Sequence, residues 1–152
     1  AASDVYKRQI YGTPAVAGEL VYIGGYNGKI YAFNSDSLAV RWIYPREGYL
    51  KAIIGGPLVM SDRVYFSTSD GKVYALDAAT GDKEWELQIG DKIWSTPAGD
   101  GDTIYIGSFD HKLYALDAVL GLEPSSTKSD LEGAMEDHIL ARAEITGTYQ
   151  RE

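Results

Sequence analysis

The chain has 152 residues, and 14 Lys and Arg against 22 Asp and Glu give a formal net charge of -8. An apolar share of 45% supports a packed core and excludes wholesale disorder, while the acidic balance argues against a general nucleic-acid binder, which needs a basic face for phosphates. The absence of cysteine removes disulfides, thiolate metal sites and thiol nucleophiles, and no apolar run approaches the ~20 residues that span a bilayer.

Residues 1–9 are polar and lack the apolar centre of a signal peptide. The stretch Asp4-Val5-Tyr6-Lys7-Arg8-Gln9 back-translates into the end of a transposon adapter used to build sequencing libraries. These residues are therefore read as a non-native or disordered N-terminal tail, and the missing signal peptide says nothing about export.

Three aligned units follow, at 10–52, 53–92 and 93–121. The first carries Thr13-Pro14-Ala15-Val16, then Leu20-Val21-Tyr22-Ile23-Gly24, then Asn27-Gly28-Lys29-Ile30-Tyr31-Ala32-Phe33-Asn34, then Trp42. The second repeats this order with Pro57, Tyr65, Asp70-Gly71, Tyr74 and Trp85. The third repeats it with Pro97, Tyr105, Asp110-His111 and Tyr114. Prolines and tyrosines recur at the same two offsets, 43 and 40, and agreement of several landmarks is the signature of a repeat architecture.

Each unit predicts four short strands, in the second near 57–60, 63–68, 72–77 and 83–88. Val64-Tyr65-Phe66 and Ile104-Tyr105-Ile106 put bulk on both strand faces. Four-stranded sheets covered on both sides and repeating every ~40 residues predict radially stacked blades. Asn27-Gly28 and Asp70-Gly71 predict type I′ hairpins, in which both central residues take φ > 0. His111 replaces that glycine in the third unit and is read as a turn residue.

After Leu122 the rhythm stops, and 122–152 is read as a linker and an amphipathic helix. Pro124-Ser125-Ser126 reads as the linker. Thr127 and Asp130 resemble a capping box, and Leu131, Met135 and Ile139 fall at four-residue spacing. A helix near 129–145 is expected, with His138 beside its apolar face.

The segment Ala75-Leu76-Asp77-Ala78-Ala79-Thr80-Gly81-Asp82-Lys83-Glu84-Trp85 resembles the tryptophan-docking motif of the pyrroloquinoline-quinone-like (PQQ-like) β-propeller repeats. That resemblance implies that Trp85 locks adjacent sheets, with Ala75, Asp77 and Gly81 shaping the motif. Trp42 is its weaker counterpart, because Asn34 and Leu38-Ala39 replace the aspartate and the Thr-Gly pair. Asp117 begins a third copy whose tryptophan position falls on Ser125, so the third blade is expected to lose its outer strand. The implied fold is all-β: a partial β-propeller of about three four-stranded antiparallel blades, plus the C-terminal helix. Three blades do not close a ring, so the chain is read as a fragment, its open edges meeting the remaining blades or another chain.

Some members of that family are quinoprotein dehydrogenases, with calcium, an acidic base and often a disulfide of adjacent cysteines. That disulfide cannot form here. Asp62 and the pair Asp100 and Asp102 are read as turn acids, not calcium ligands. Two histidines, His111 and His138, suggest no Ser-His-Asp set, and no phosphate-cradling glycine loop occurs. Other relatives, among them an outer-membrane assembly lipoprotein and sensor ectodomains, are binding platforms. Here the loops into each innermost strand are rich: Tyr11, Ile54 and Trp94 align at the repeat offsets, near Tyr49, Lys51 and Lys92. This apolar ring either plugs a central channel or contacts a peptide or flat ligand.

The expected function is a non-catalytic platform for protein interaction or scaffolding, binding a protein or peptide partner. By resemblance it is periplasmic or extracellular. No catalytic residue, metal or cofactor is expected. The alternatives are a fragment of a quinoprotein dehydrogenase and a ligand-sensing ectodomain of a membrane-anchored sensor or kinase.

Overall fold

The structure, a computed structural model, describes residue 10, residues 12–119 and residues 139–144. Among these described residues twelve strands form three four-stranded antiparallel sheets. The first holds β1 (Ala15–Ala17), β2 (Leu20–Gly24), β3 (Ile30–Asn34) and β4 (Val40–Tyr44). The second holds β5 (Leu58–Met60), β6 (Arg63–Ser67), β7 (Lys72–Asp77) and β8 (Lys83–Gln88). The third holds β9 (Ala98–Gly99), β10 (Thr103–Gly107), β11 (Lys112–Asp117) and β12 (Ile139–Glu144). Each sheet runs in simple chain order, and the first strands lie side by side, β1 next to β5 and β5 next to β9.

Strand periodicity explains how the sheets stack. Successive side chains point to opposite faces, so the middle sheet divides its apolar residues between two neighbours. Val64, Phe66, Tyr74 and Leu76 join Tyr22, Ile30, Ala32 and Trp42 of the first sheet in one core. Tyr65, Val73, Ala75, Trp85 and Leu87 join Ile104, Ile106, Tyr114 and Leu116 of the third sheet in another. The cores therefore lie between blades, not within a closed sandwich.

The blades repeat in fine detail. In each, the third strand pairs with the fourth through a one-residue shift just after the same alanine: Ala32, Ala75 or Ala115. The alanines face Trp42, Trp85 and Ala141 respectively.

The C-terminal helix is corrected over 139–144. That segment is β12, paired along β11 from Lys112↔Glu144 to Leu116↔Ile139. The third blade therefore keeps a fourth strand. The edge of β11 offers a row of backbone donors and acceptors, and pairing satisfies them. That long-range gain overrides the local four-residue spacing. The remainder of the expected helix, His138 included, lies outside the described residues, as do the N-terminal tail and the linker.

The hairpin type is also corrected. Gly28, Gly71 and His111 have φ of 77°, 89° and 67°, but Asn27, Asp70 and Asp110 do not share the left-handed region. Gly28 N donates to Gly25 O at 3.0 Å, and Gly25 N donates to Lys29 O at 2.9 Å. This is a type I turn followed by a left-handed residue. The side chains of Asn27 and Asp110 accept from the amides of Lys29 and Lys112 at 3.2 and 3.0 Å, and such Asx turns favour this form. A two-residue hairpin with both φ positive occurs instead at Ser61 (51°) and Asp62 (62°), between Met60 and Arg63.

Candidate functional site

Two regions concentrate the side chains singled out by the sequence: the seams between blades, and the loops at one end of the blades.

At the first seam, Trp42 is buried and its Nε1 donates to the carbonyl of Ala78 at 3.0 Å. The Tyr22 hydroxyl donates to the same oxygen at 3.0 Å. The two rings lie 5.9 Å apart, tilted by 48°. At the second seam Trp85 Nε1 and Tyr65 OH converge on the Ala118 carbonyl at 3.4 and 2.8 Å, with rings 6.0 Å apart and tilted by 46°. An indole buries a large apolar area but leaves one N–H needing a partner, and the next blade supplies it. Burial raises the phenol pKa of Tyr22 and of Tyr65.

The acceptor side of the seam is shaped by a turn. Asp77 Oδ1 accepts from the amides of Ala79 and Thr80 at 2.9 and 3.0 Å, and Gly81 closes the turn with φ 77°. A Cβ on Gly81 would lie 2.6 Å from Cδ2 of Trp42, so only glycine leaves room for the ring. Asn34 does the work of Asp77 in the first blade, accepting from the amides of Asp36 and Ser37 at 3.0 Å each. Asp117 accepts from Val119 N at 2.8 Å in the third. Ala75 is fully buried opposite Trp85.

The second region combines the connections from each fourth strand to the next first strand with the hairpins joining second and third strands. Tyr49 is 79% exposed and, with Lys51, lines a cleft of about 820 Å³ between the first two blades. Its other walls include Tyr26, Asp70, Lys72 and Tyr74. Tyr74 has its phenol pKa raised, first by burial and then by Glu86 and Asp70. Trp94 is half-exposed and packs on Phe109, with ring centroids 4.9 Å apart. Lys92 is exposed beside them, its carbonyl accepting from Phe109 N at 2.9 Å.

Ile54 is only partly exposed and does not line the cleft, and Tyr11 lies outside the described residues. The residues that enter the seams are their neighbours: Ile53 and Ile93 are fully buried, in the first and second core respectively. Sequence reasoning missed Tyr26 and Phe109. The repeat offsets could have found them, because 26, 69 and 109 occupy one hairpin position, filled by Tyr, Ser and Phe.

The acids stay in turns. Asp62 O accepts from Ala78 N at 2.9 Å, and Asp102 O accepts from Ala118 N at 2.9 Å. Among the described residues no group of three or more His, Cys, Asp or Glu could hold a metal ion. Among them, too, no helix is long and apolar enough to cross a membrane.

The family described as "Outer membrane protein assembly factor BamB" matches residues 3–151. No curated protein sequence matches the chain. The structure is similar to that of BamB from Moraxella catarrhalis, with a TM-score of 0.69 and 21% identity over 90% of this chain. The chain spans 37% of the length of that relative. A quinohemoprotein alcohol dehydrogenase from Pseudomonas putida is similar with a TM-score of 0.66 and 22% identity, covering 84% of this chain and 24% of its own. A europium-containing methanol dehydrogenase is similar with a TM-score of 0.62 and 20% identity, covering 78% of this chain and 27% of its own. At these identities the likeness shows the propeller fold.

Proposed function

The chain belongs to the BamB family of PQQ-like propeller repeats, and from that premise we propose that it is a blade segment of a non-catalytic platform for protein interaction on the periplasmic side of the envelope. One observation carries the reading. Of the five large aromatic residues that are exposed among the described residues, Tyr26, Tyr49, Trp94 and Phe109 belong to the end connections and hairpins of one blade end. Exposed aromatics gathered on one surface, rimmed by Lys51, Lys72 and Lys92, are what a protein-recognition face needs. The partner is a protein or peptide segment that offers apolar side chains to these rings.

Site-specific photo-crosslinking in the full-length protein tests this. A photoreactive residue at Tyr49 or Trp94 captures a partner protein, and one at Val16 or Val40, away from those loops, does not. Equal capture at all four positions, or at none, overturns the platform.

A second reading is a blade segment of a quinoprotein dehydrogenase, favoured by the fold shared with the two dehydrogenases. Saturable binding of the quinone with calcium, together with dye-linked alcohol oxidation by the full-length protein, would replace the platform by that enzyme.

A further inference from the structure

Charge is not spread evenly over the blades. Five of the six described lysines stand at the end that carries the exposed aromatic residues. Lys29, Lys72 and Lys112 follow the hairpins between second and third strands, and Lys51 and Lys92 lie in the connections to the next blade. The turns at the other end instead carry Glu19, Asp36, Asp62, Asp82, Asp100 and Asp102. The ion pairs follow the same division. Among the described residues they join Arg46 to Asp82, Arg63 to Glu84 and Lys83 to Glu86, and none includes a lysine of the aromatic end.

Carboxylates at the aromatic end are engaged in its turns, Glu47 apart, which is exposed in the first connection. Asp70 accepts from the Thr68 hydroxyl, Asp91 accepts from the amide of Lys92 at 2.7 Å, and Asp110 accepts from the amide of Lys112 at 3.0 Å and from the Tyr114 hydroxyl. Lys29 Nζ donates to the Pro45 carbonyl at 3.0 Å. Lys51, Lys72, Lys92 and Lys112 are the charges left to meet a partner. Lys51 and Lys72 line the cleft with Tyr26 and Tyr49. Lys92 joins the Trp94 and Phe109 pair through its carbonyl, and Lys112 holds the position of Lys72 in the next blade. Rings and ammonium groups are thus interleaved twice, one blade apart. Like charges gathered beside apolar walls focus their field and draw the opposite charge.

We propose that the segment bound by this face is acidic: an extended peptide in which Asp or Glu residues are interspersed with aromatic or aliphatic ones, its carboxylates meeting Lys51 and Lys72 at the cleft and Lys92 and Lys112 one blade further on. This rests on the platform reading and adds the chemistry of its partner. A lysine suits such a segment because its point charge on a flexible stem accepts a carboxylate from many directions. The cleft of about 820 Å³ admits peptide side chains, which a flat lipid surface does not offer. The formal charge of -8 also opposes an anionic bilayer and nucleic acid, both of which meet the chain over a wide area. A short acidic segment avoids that repulsion, because screening limits the reach of the acidic turns at the far end to about 8 Å at physiological salt.

Fluorescence anisotropy of short labelled peptides, titrated with the full-length protein, tests the charge. Three peptides place Glu, Gln or Lys between the same Phe residues. The Glu peptide is expected to bind most tightly and to weaken as salt rises. Combining Lys51→Gln, Lys72→Gln, Lys92→Gln and Lys112→Gln should lower its affinity about tenfold, whereas Lys83→Gln, on β8, should leave it unchanged. The peptide comparison and the salt series use the unmodified protein and do not depend on how a variant folds. Equal binding of the Gln peptide, or tighter binding of the Lys peptide, overturns the acidic partner and leaves the platform standing. Binding to phosphatidylglycerol vesicles in preference to the Glu peptide overturns it in favour of a lipid surface. If no peptide binds, the acidic partner falls, and photo-crosslinking at Tyr49 and Trp94 separately decides the platform.

Discussion

The indole of Trp42 rests against Gly81 of the neighbouring blade so closely that a Cβ there would come within 2.6 Å of Cδ2. Ring and gap are separated by a whole sheet in sequence, yet each determines what the other can be. Gly81→Ala introduces both a clash and a strained φ, and is expected to cost about 1–3 kcal/mol. Urea unfolding of Trp42→Ala, Gly81→Ala and the double variant checks the pairing. The double variant should be more stable than the sum of the single losses implies, because the ring that clashes is gone.

Trp85 is the larger anchor, at 3% exposure. Trp85→Ala is expected to destabilise by about 3–5 kcal/mol, as for other buried aromatic truncations. A loss below about 1 kcal/mol in a folded chain would contradict docking by the ring, since such a loss is typical of an exposed site.

The shared carbonyls predict an asymmetry between tyrosines. Ala118 O receives a short bond from Tyr65 and a long one from Trp85, whereas Ala78 O receives two equal bonds. Tyr65→Phe is therefore expected to cost more than Tyr22→Phe, each within about 0.5–1.5 kcal/mol. Matched denaturant melts of the two variants decide it, and the reverse order would contradict the geometry.

Asp77 and Asn34 do one job with different chemistry, since an amide oxygen accepts the turn amides as a carboxylate does. Asp77→Asn should therefore leave stability within about 0.5 kcal/mol, and Asp77→Ala should cost about 1 kcal/mol. Melting temperatures of both variants against the parent measure the difference.

Alkali should unfold the protein through its buried phenols. Tyr22, Tyr44, Tyr65 and Tyr74 all have raised pKa values, chiefly through burial. A phenol whose folded pKa exceeds its unfolded value of about 10 stabilises the fold fully below that value, and this contribution is lost as pH rises through the folded pKa. Denaturant midpoints should be level up to about pH 10 and fall above it, and the fall should be shallower in Tyr74→Phe. Tyrosinate absorbance followed with pH reports the same groups directly.

The repeat and the four strands of each of the first two blades were legible in the sequence, because alternation and turn chemistry are local and three copies reinforce one another. Phe66 and Tyr65 could be read as facing opposite ways from their adjacency alone. Which neighbour each would meet could not. Tyr49 entered a cleft with Tyr26 and Tyr74, and Trp94 found Phe109, through loop paths that no spacing encodes. The segment 139–144 is the sharpest case. Its own pattern favours a helix, but the open edge of β11 offers hydrogen bonds to any strand that reaches it, and only the folded blade places that edge within reach.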